Sequence, residues 1–181
     1  MNNYIFLADG FEEIEALAVV DLLRRAGMSA TTVSINETPE ATGAHGIPVI
    51  ADTTIDCISD DYDWLILPGG LPGAPNLAAC EKLTDMLVEH NNAGKHIAAI
   101  CASPAMVLAP LGILEGKEAT CYPGLEDLLT GAVHCPELAV ASKNVVTGKG
   151  PAAAIPFALE IIKITLGEDK ANEVAAGLLY C

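Results

Sequence analysis

Apolar residues along the chain alternate between two kinds of run, and the alternation predicts the elements. Compact runs of four to seven apolar positions, such as "YIFLA" (Tyr4–Ala8), "DWLILPGG" and "HIAAI", read as buried strands. Longer stretches with helical spacing follow them. "FEEIEALAVVDLLRRAG" carries Ile14, Leu17, Ala18, Val20 and Leu22 at that spacing and stops at Gly27. "SATTVSI" (Ser29–Ile35) is β-rich, and the segment from Pro39 to Thr53, with Gly43, Gly46 and Pro48, reads as a loop holding a short hairpin. "AACEKLTDMLVEHNNAG" predicts a helix ending near Gly94. After Cys101 the pattern turns helical up to about Pro110. "CYPGLEDLLTG" reads as a short helix behind a turn, and "LAVAS" with "NVVTG" as a hairpin about Lys143-Asn144. Helical regions from Pro151 to Leu166 and from Asp169 to Leu179 complete the chain.

Strands alternating with helices across short turns imply right-handed βαβ crossovers and an open parallel sheet. Composition agrees. Hydrophobic residues make up 51% of the chain and aromatics only 4%, so the core is built from Ala, Val, Ile and Leu, as in a parallel sheet buried on both faces. The 181 residues show no Ser/Gly/Pro-rich linker, internal repeat or low-complexity tract, and are expected to form one domain, residues 1–181.

Charge narrows the partners. Twenty-four acidic residues against nine basic ones leave a net charge of −15, which repels phosphate backbones and anionic lipid. Nucleic acid and membrane surfaces are therefore not expected. The segment "MNNYIFLADGFEEIEA" lacks a basic leader, and no apolar run approaches the roughly 20 residues that span a bilayer. A soluble cytoplasmic protein is the expectation. Six cysteines (57, 80, 101, 121, 135 and 181) form no C-x-x-C pair and no Cys/His cluster of zinc-finger spacing, so reduced thiols, mostly small buried hydrophobes, and neither metal nor cofactor are expected.

Ligands of open α/β sheets bind at the carboxyl ends of the strands. Four such ends are chemically distinctive here: "ADGFEEIE", "PGGLPG", "CASP" and "GKGP". Cys101 stands at a sharp strand-to-helix joint, the geometry of a nucleophile elbow, flanked by the small residues Ala99 and Ser103. The positive end of a following helix predicts a thiol pKa below the ordinary value of about 8.5. "LPGG" supplies glycine amides that can turn inward. One of them, with the N–H of Ala102, predicts a two-donor oxyanion site beside the sulfur. Of Glu12, Glu13 and Glu15, at least two read as solvated charges opening the first helix. Glu15 is the candidate partner, held protonated near a second anion, donating a hydrogen bond to the thiolate and shuttling a proton. "GKGP" lacks the spacing of a phosphate-binding loop.

The segments "ADGFEEIEA", "LPGGLPGAPNL", "AAICASP" and "GKGPAAAIPFALEI" resemble the ThiJ/PfpI superfamily, in the branch of the parkinsonism-associated deglycase and glutathione-independent glyoxalases. The resemblance implies a flavodoxin-like α/β sandwich with helices on both faces of a mostly parallel sheet, related to class I glutamine amidotransferases, and a homodimer. It makes Cys101 the oxidisable nucleophile, Glu15 its protonated partner, and Gly70 and Ala102 the oxyanion donors, with Gly69 beside them. Two positions depart from the family pattern. Ala102 stands where peptidases of the superfamily carry histidine, which removes the Cys-His pair needed for amide cleavage. Tyr122 stands where the deglycase branch commonly has histidine, removing a base. Cys121 next to it reads either as a resolving thiol or as a buried cysteine beside a turn. His45 lies where the family has a loop approaching the partner subunit's site, which makes it the substitute base and makes its loop, with the first helix, the expected dimer interface. His90 and His96 read as surface residues at the far end of the sheet, and nothing assigns a role to His134.

The leading functional expectation is cysteine-dependent conversion of a small carbonyl substrate, a 2-oxoaldehyde, through a hemithioacetal on Cys101. The alternative is an oxidative-stress sensor or holdase using oxidation of Cys101. A thiamine-biosynthesis role and peptidase activity rank behind both.

Overall fold

The computed structural model describes residues 2–180, so Cys181 lies outside the described residues. In chain order the elements are β1 (Asn2–Leu7), α1 (Glu13–Arg25), β2 (Thr31–Ser34), β3 (Glu40–Thr42), β4 (Pro48–Ile50), β5 (Thr53–Thr54), β6 (Tyr62–Leu67), α2 (Gly73–Ala79), α3 (Glu81–Asn92) and β7 (His96–Ile100). They continue with β8 (Glu118–Ala119), β9 (Val133–His134), β10 (Ala139–Ser142), β11 (Val145–Gly148), α4 (Ala154–Leu166) and α5 (Glu168–Gly177). A seven-stranded sheet runs in the order β10-β11-β7-β6-β1-β2-β5, parallel throughout except for the antiparallel β10–β11 hairpin. This is the mostly parallel α/β sandwich expected from the alternation of strand and helix patterns.

The two-residue period of a strand divides the core into two layers. Ile5 and Leu7 of β1, Trp64 and Ile66 of β6, and Ala98 and Ile100 of β7 face α1 and α4, where Val19, Leu23, Phe157 and Ile161 are buried. Tyr4, Phe6, Leu65, Leu67, Ile97 and Ala99 face the opposite way and pack with Leu77 of α2 and Leu83 and Leu87 of α3. Because every central strand is covered on both faces, its residues read as unbroken apolar runs rather than alternating ones.

Several local expectations are corrected. α2 begins inside the segment read as a glycine-rich turn, because Pro72 and Gly73 open a short helix rather than only ending a strand. The helical segment expected from Cys101 to about Pro110 is present, but its hydrogen bonding over Pro104–Leu108 is that of a π-helix, with Ser103 and Ala109 in helical conformation at its ends. Ile14 and Leu17 were placed on the apolar stripe of α1, yet they are 57% and 40% exposed; the buried face is instead Glu15, Ala16, Val19, Leu22 and Leu23. Only Cys101 and Cys121 of the five described cysteines are buried, while Cys57 is exposed. His90 is not a surface residue: it is buried against Tyr62 and its Nε2 lies 2.7 Å from the Asp63 carbonyl. Among the described residues, no helix is long and apolar enough to cross a membrane.

Candidate active site

β7 delivers the chain to a strained position. Cys101 has φ 65, in the left-handed region that non-glycine residues seldom occupy, a conformation costing on the order of 1–3 kcal/mol unless its surroundings fix it. Three contacts fix it. The Cys101 N–H donates to the Gly148 carbonyl at 2.8 Å, and the Cys101 carbonyl accepts the Tyr122 N–H at 2.8 Å. Ser103 Oγ, itself buried, donates to the Pro68 carbonyl at 2.6 Å and so ties the elbow to the end of β6. The ends of β6, β7 and β11 are thereby locked around the thiol.

The "LPGG" turn then approaches. A Cβ on Gly69 would stand 2.5 Å from the Cys101 Cβ and 2.9 Å from the Ile100 carbonyl, so only glycine fits. Gly70 has φ 91, and a Cβ there would meet the Gly10 carbonyl at 2.4 Å. This close approach aims the Gly70 N–H, with that of Ala102, at the Cys101 sulfur. Glu15, in the first turn of α1 and 1% exposed, accepts the Gly69 N–H on Oε2 at 2.7 Å. Its Oε1 is buried without a hydrogen-bond partner among the described residues.

Electrostatics corrects one expectation and sharpens another. Burial, helped by the charge of Glu12, pushes the Glu15 carboxyl up to about 7, against the opposing hydrogen bonds from Gly69 and Cys101. The Cys101 thiol is not depressed. Burial first, then the negative charge and hydrogen bond of Glu15, push it up to about 12, and the Gly70 and Ala102 amides offset only part of the rise. At neutral pH the resting pair therefore keeps a proton on sulfur beside a carboxyl poised to accept it.

Cys101 opens into a cleft of about 420 Å³ whose walls include Glu12, Gly70, Leu71, Ala102, Tyr122 and Pro151. Tyr122 lies at the mouth, 48% exposed, with its ring beside Gly150. Cys121 does not line the cleft. It is buried, its sulfur faces the Tyr122 carbonyl at 3.5 Å, and burial followed by the charge of Glu126 pushes it up to about 11; the arrangement is that of a packed cysteine, not a poised resolving thiol. His45 is also off the cleft. Its Nδ1 sits 2.8 Å from Glu13 Oε2 and 3.7 Å from Glu12 Oε1, and the Glu13 hydrogen bond raises its pKa, so within the subunit it is no base for Cys101. Glu13 is in turn buried rather than solvated: desolvation opposes its charge, but hydrogen bonds from His45 and the neighbouring backbone outweigh it and lower its pKa. Glu12, Glu13 and His45 place ligand atoms within 4.8 Å of one another, the one group among the described residues with such spacing, and its imidazole is already engaged by Glu13.

The residues that sequence reasoning missed are the cleft walls Leu71, Pro123, Leu125 and Pro151, together with Glu12, which was read as a solvated charge. Glu12 precedes Glu15 by three positions, a spacing that places both on one side of a helix start, and this was the available signal.

A parallel α/β sandwich with a strained thiol at a strand end, a buried acid beside it and two amides facing the sulfur defines a class of cysteine-elbow proteins. The chain matches the DJ-1/PfpI family over residues 1–164, and it belongs to that family. It is 37% identical over 174 residues to Protein DJ-1 homolog A of Arabidopsis thaliana, covering 96% of this chain and 44% of that protein, so it spans less than half of that relative. It is 33% identical over 166 residues to Glutathione-independent glyoxalase DJR-1.2 of Caenorhabditis elegans, covering 90% of this chain and 87% of that protein. Among solved structures, Toxoplasma gondii DJ-1 in an oxidized form superposes with a TM-score of 0.96 at 38% identity, covering 99% of this chain and 98% of that one.

Proposed function

We propose that this protein converts small 2-oxoaldehydes to 2-hydroxy acids without glutathione, through a covalent adduct on Cys101. The observation that carries the reading is the contact between a Glu15 carboxyl held near neutral pKa and a thiol flanked by the Gly70 and Ala102 amides. Glu15 takes the thiol proton as the sulfur attacks the aldehyde carbon. The carbonyl oxygen gains negative charge, is steadied by the two amides and then receives a proton, giving a hemithioacetal. Glu15 next removes the proton from the former aldehyde carbon and returns one to the adjacent carbon. The product is a 2-hydroxy thioester, whose hydrolysis by one water releases the hydroxy acid and the free thiol. No oxidant or reductant is consumed. The same addition to a glycation adduct gives deglycase activity. The relative named as a glutathione-independent glyoxalase supports the reading, and Ala102 in the elbow, a methyl group where a base would be needed, argues against peptide cleavage.

The test is loss of methylglyoxal matched by appearance of lactate in the absence of glutathione. A second reading, reversible oxidation of Cys101 as a stress signal, draws on the two amides, which suit a sulfinate oxygen as well as a hemithioacetal. Gain of one or two oxygens in intact mass after mild peroxide, without aldehyde turnover, would favour it.

We also propose a homodimer formed through α1 and the β3–β4 hairpin. Ile14 and Leu17 on the helix and Ile47 and Ile50 on the hairpin are exposed, and Ile50 is 80% accessible. The two elements are already bound together, since the Ala44 N–H donates to the Phe11 carbonyl and the His45 N–H to Glu13 Oε1. Such apolar exposure on one flank is a feature of interaction surfaces.

A further inference from the structure

The walls of the cleft are chemically one-sided. Leu71, Tyr122, Pro123, Leu125 and Pro151 present apolar surface, and Leu71 is 61% exposed. Among the described residues lining the cleft, the one charged side chain is that of Glu12, only 14% of which is accessible. His45 Nδ1 is 3.7 Å from Glu12 Oε1 and makes its close contact, 2.8 Å, with Glu13 Oε2. His45 interacts with both carboxylates but does not line the cleft, so among the described residues no cationic side chain stands inside it to meet an anionic substrate. Glu15 lies behind the thiol as a second acidic group, and Glu12 acts on it through space. Gly70 and Ala102, whose amides face the sulfur, share this one cleft with Glu12 and the apolar wall, so a substrate carbonyl adding to Cys101 brings its substituent within reach of both.

We infer that Glu12 is a specificity-determining residue, selecting uncharged carbonyl substrates that carry a compact apolar group, up to the size of a phenyl ring, over those that carry a carboxylate or phosphate. The inference rests on the cysteine-addition reading for its substrate class, but not for its charge selection. A fixed negative charge in a partly desolvated cleft acts on a nearby anion far more strongly than the same charge in water. The cleft also has room for more than a methyl substituent, and burial of a ring against proline and leucine surface is favourable.

Iodoacetamide and iodoacetate differ in charge and little in size, and both report access to Cys101 without turnover. The rate ratio of amide to acetate at Cys101, read by peptide mass spectrometry, is expected to exceed that of N-acetylcysteine amide by about tenfold at low ionic strength. Glu12→Gln is expected to remove most of this excess and Glu12→Asp to keep it. Any effect of Glu12 on thiol ionisation changes both rates alike and cancels in the ratio. In turnover, phenylglyoxal is expected to match or exceed methylglyoxal in kcat/KM, and 4-carboxyphenylglyoxal to fall about tenfold below phenylglyoxal. A wild-type ratio equal to that of the free thiol, or one unchanged in Glu12→Gln, overturns the inference. Absence of aldehyde turnover with the alkylation ratio intact instead overturns the glyoxalase reading and leaves charge selection standing.

Discussion

The amide of Gly69 donates to Oε2 of Glu15 at 2.7 Å, so the carboxyl that serves the thiol is oriented by the turn that also holds the neighbouring oxyanion donor. The other carboxyl oxygen is left without a hydrogen-bond partner among the described residues. The anchoring contact makes the geometry of the turn as important as the identity of the acid.

Gly69→Ala is therefore expected to be damaging. The new Cβ would lie 2.8 Å from Glu15 Oε2 and 2.9 Å from the Ile100 carbonyl, and backbone cannot yield as a side chain does. Overpacking of this kind costs about 1–3 kcal/mol, which a denaturation midpoint would record together with reduced reactivity of Cys101. Unchanged stability and reactivity would mean that the turn is not so closely packed.

The pH dependence of Cys101 alkylation follows from Glu15. A carboxyl near 7 accepts the thiol proton only when ionised, so the rate rises as pH increases through about 7. Glu15→Gln removes that step and leaves only the rise belonging to the high thiol. Iodoacetamide rates from pH 5 to 9 on both proteins would show it.

Stability is expected to move the other way. The folded pKa of Glu15, about 7, lies above the ordinary carboxylate value of 4.5, so folding favours the protonated form. Its contribution is fully present below pH 4.5 and is lost as pH rises through about 7. The loss is on the order of 3 kcal/mol, from 1.36 kcal/mol per unit of difference. Glu15→Gln, which imitates the protonated acid, should match wild type near pH 4 and be the more stable protein at pH 8, as urea melts at the two pH values would measure.

The contribution of Tyr122 is a ring at the cleft mouth beside Gly150. Tyr122→Phe is accordingly expected to keep kcat/KM for methylglyoxal within about twofold. A loss of a hundredfold would assign the hydroxyl a chemical role.

The sheet was legible in the sequence because strands covered on both faces, such as "DWLIL" and "HIAAI", leave unbroken apolar runs bounded by glycine, proline and cysteine. The meeting of Glu15, the "LPGG" turn and Cys101 was legible as well, since strand ends of a parallel sheet converge at one edge. The state of the thiol was not. The helical pattern after Cys101 points to a lowered thiol pKa, whereas burial and the neighbouring Glu15 govern the sulfur and raise it. The exposure of Ile14 and Leu17 is hidden for a related reason: the helix buries two acids, Glu13 against the His45 loop and Glu15 beside the thiol, and turns apolar residues outward. Periodicity reports which residues share a face, not which face is inward.

The central claim is that Cys101 adds covalently to a 2-oxoaldehyde. Methylglyoxal depletion with lactate detection, on wild type beside Cys101→Ala and Cys101→Ser, tests it most directly. The account predicts lactate formed in step with methylglyoxal lost by wild type, and neither above the uncatalysed rate in either variant. Full activity in either variant, with the fold intact, would contradict it.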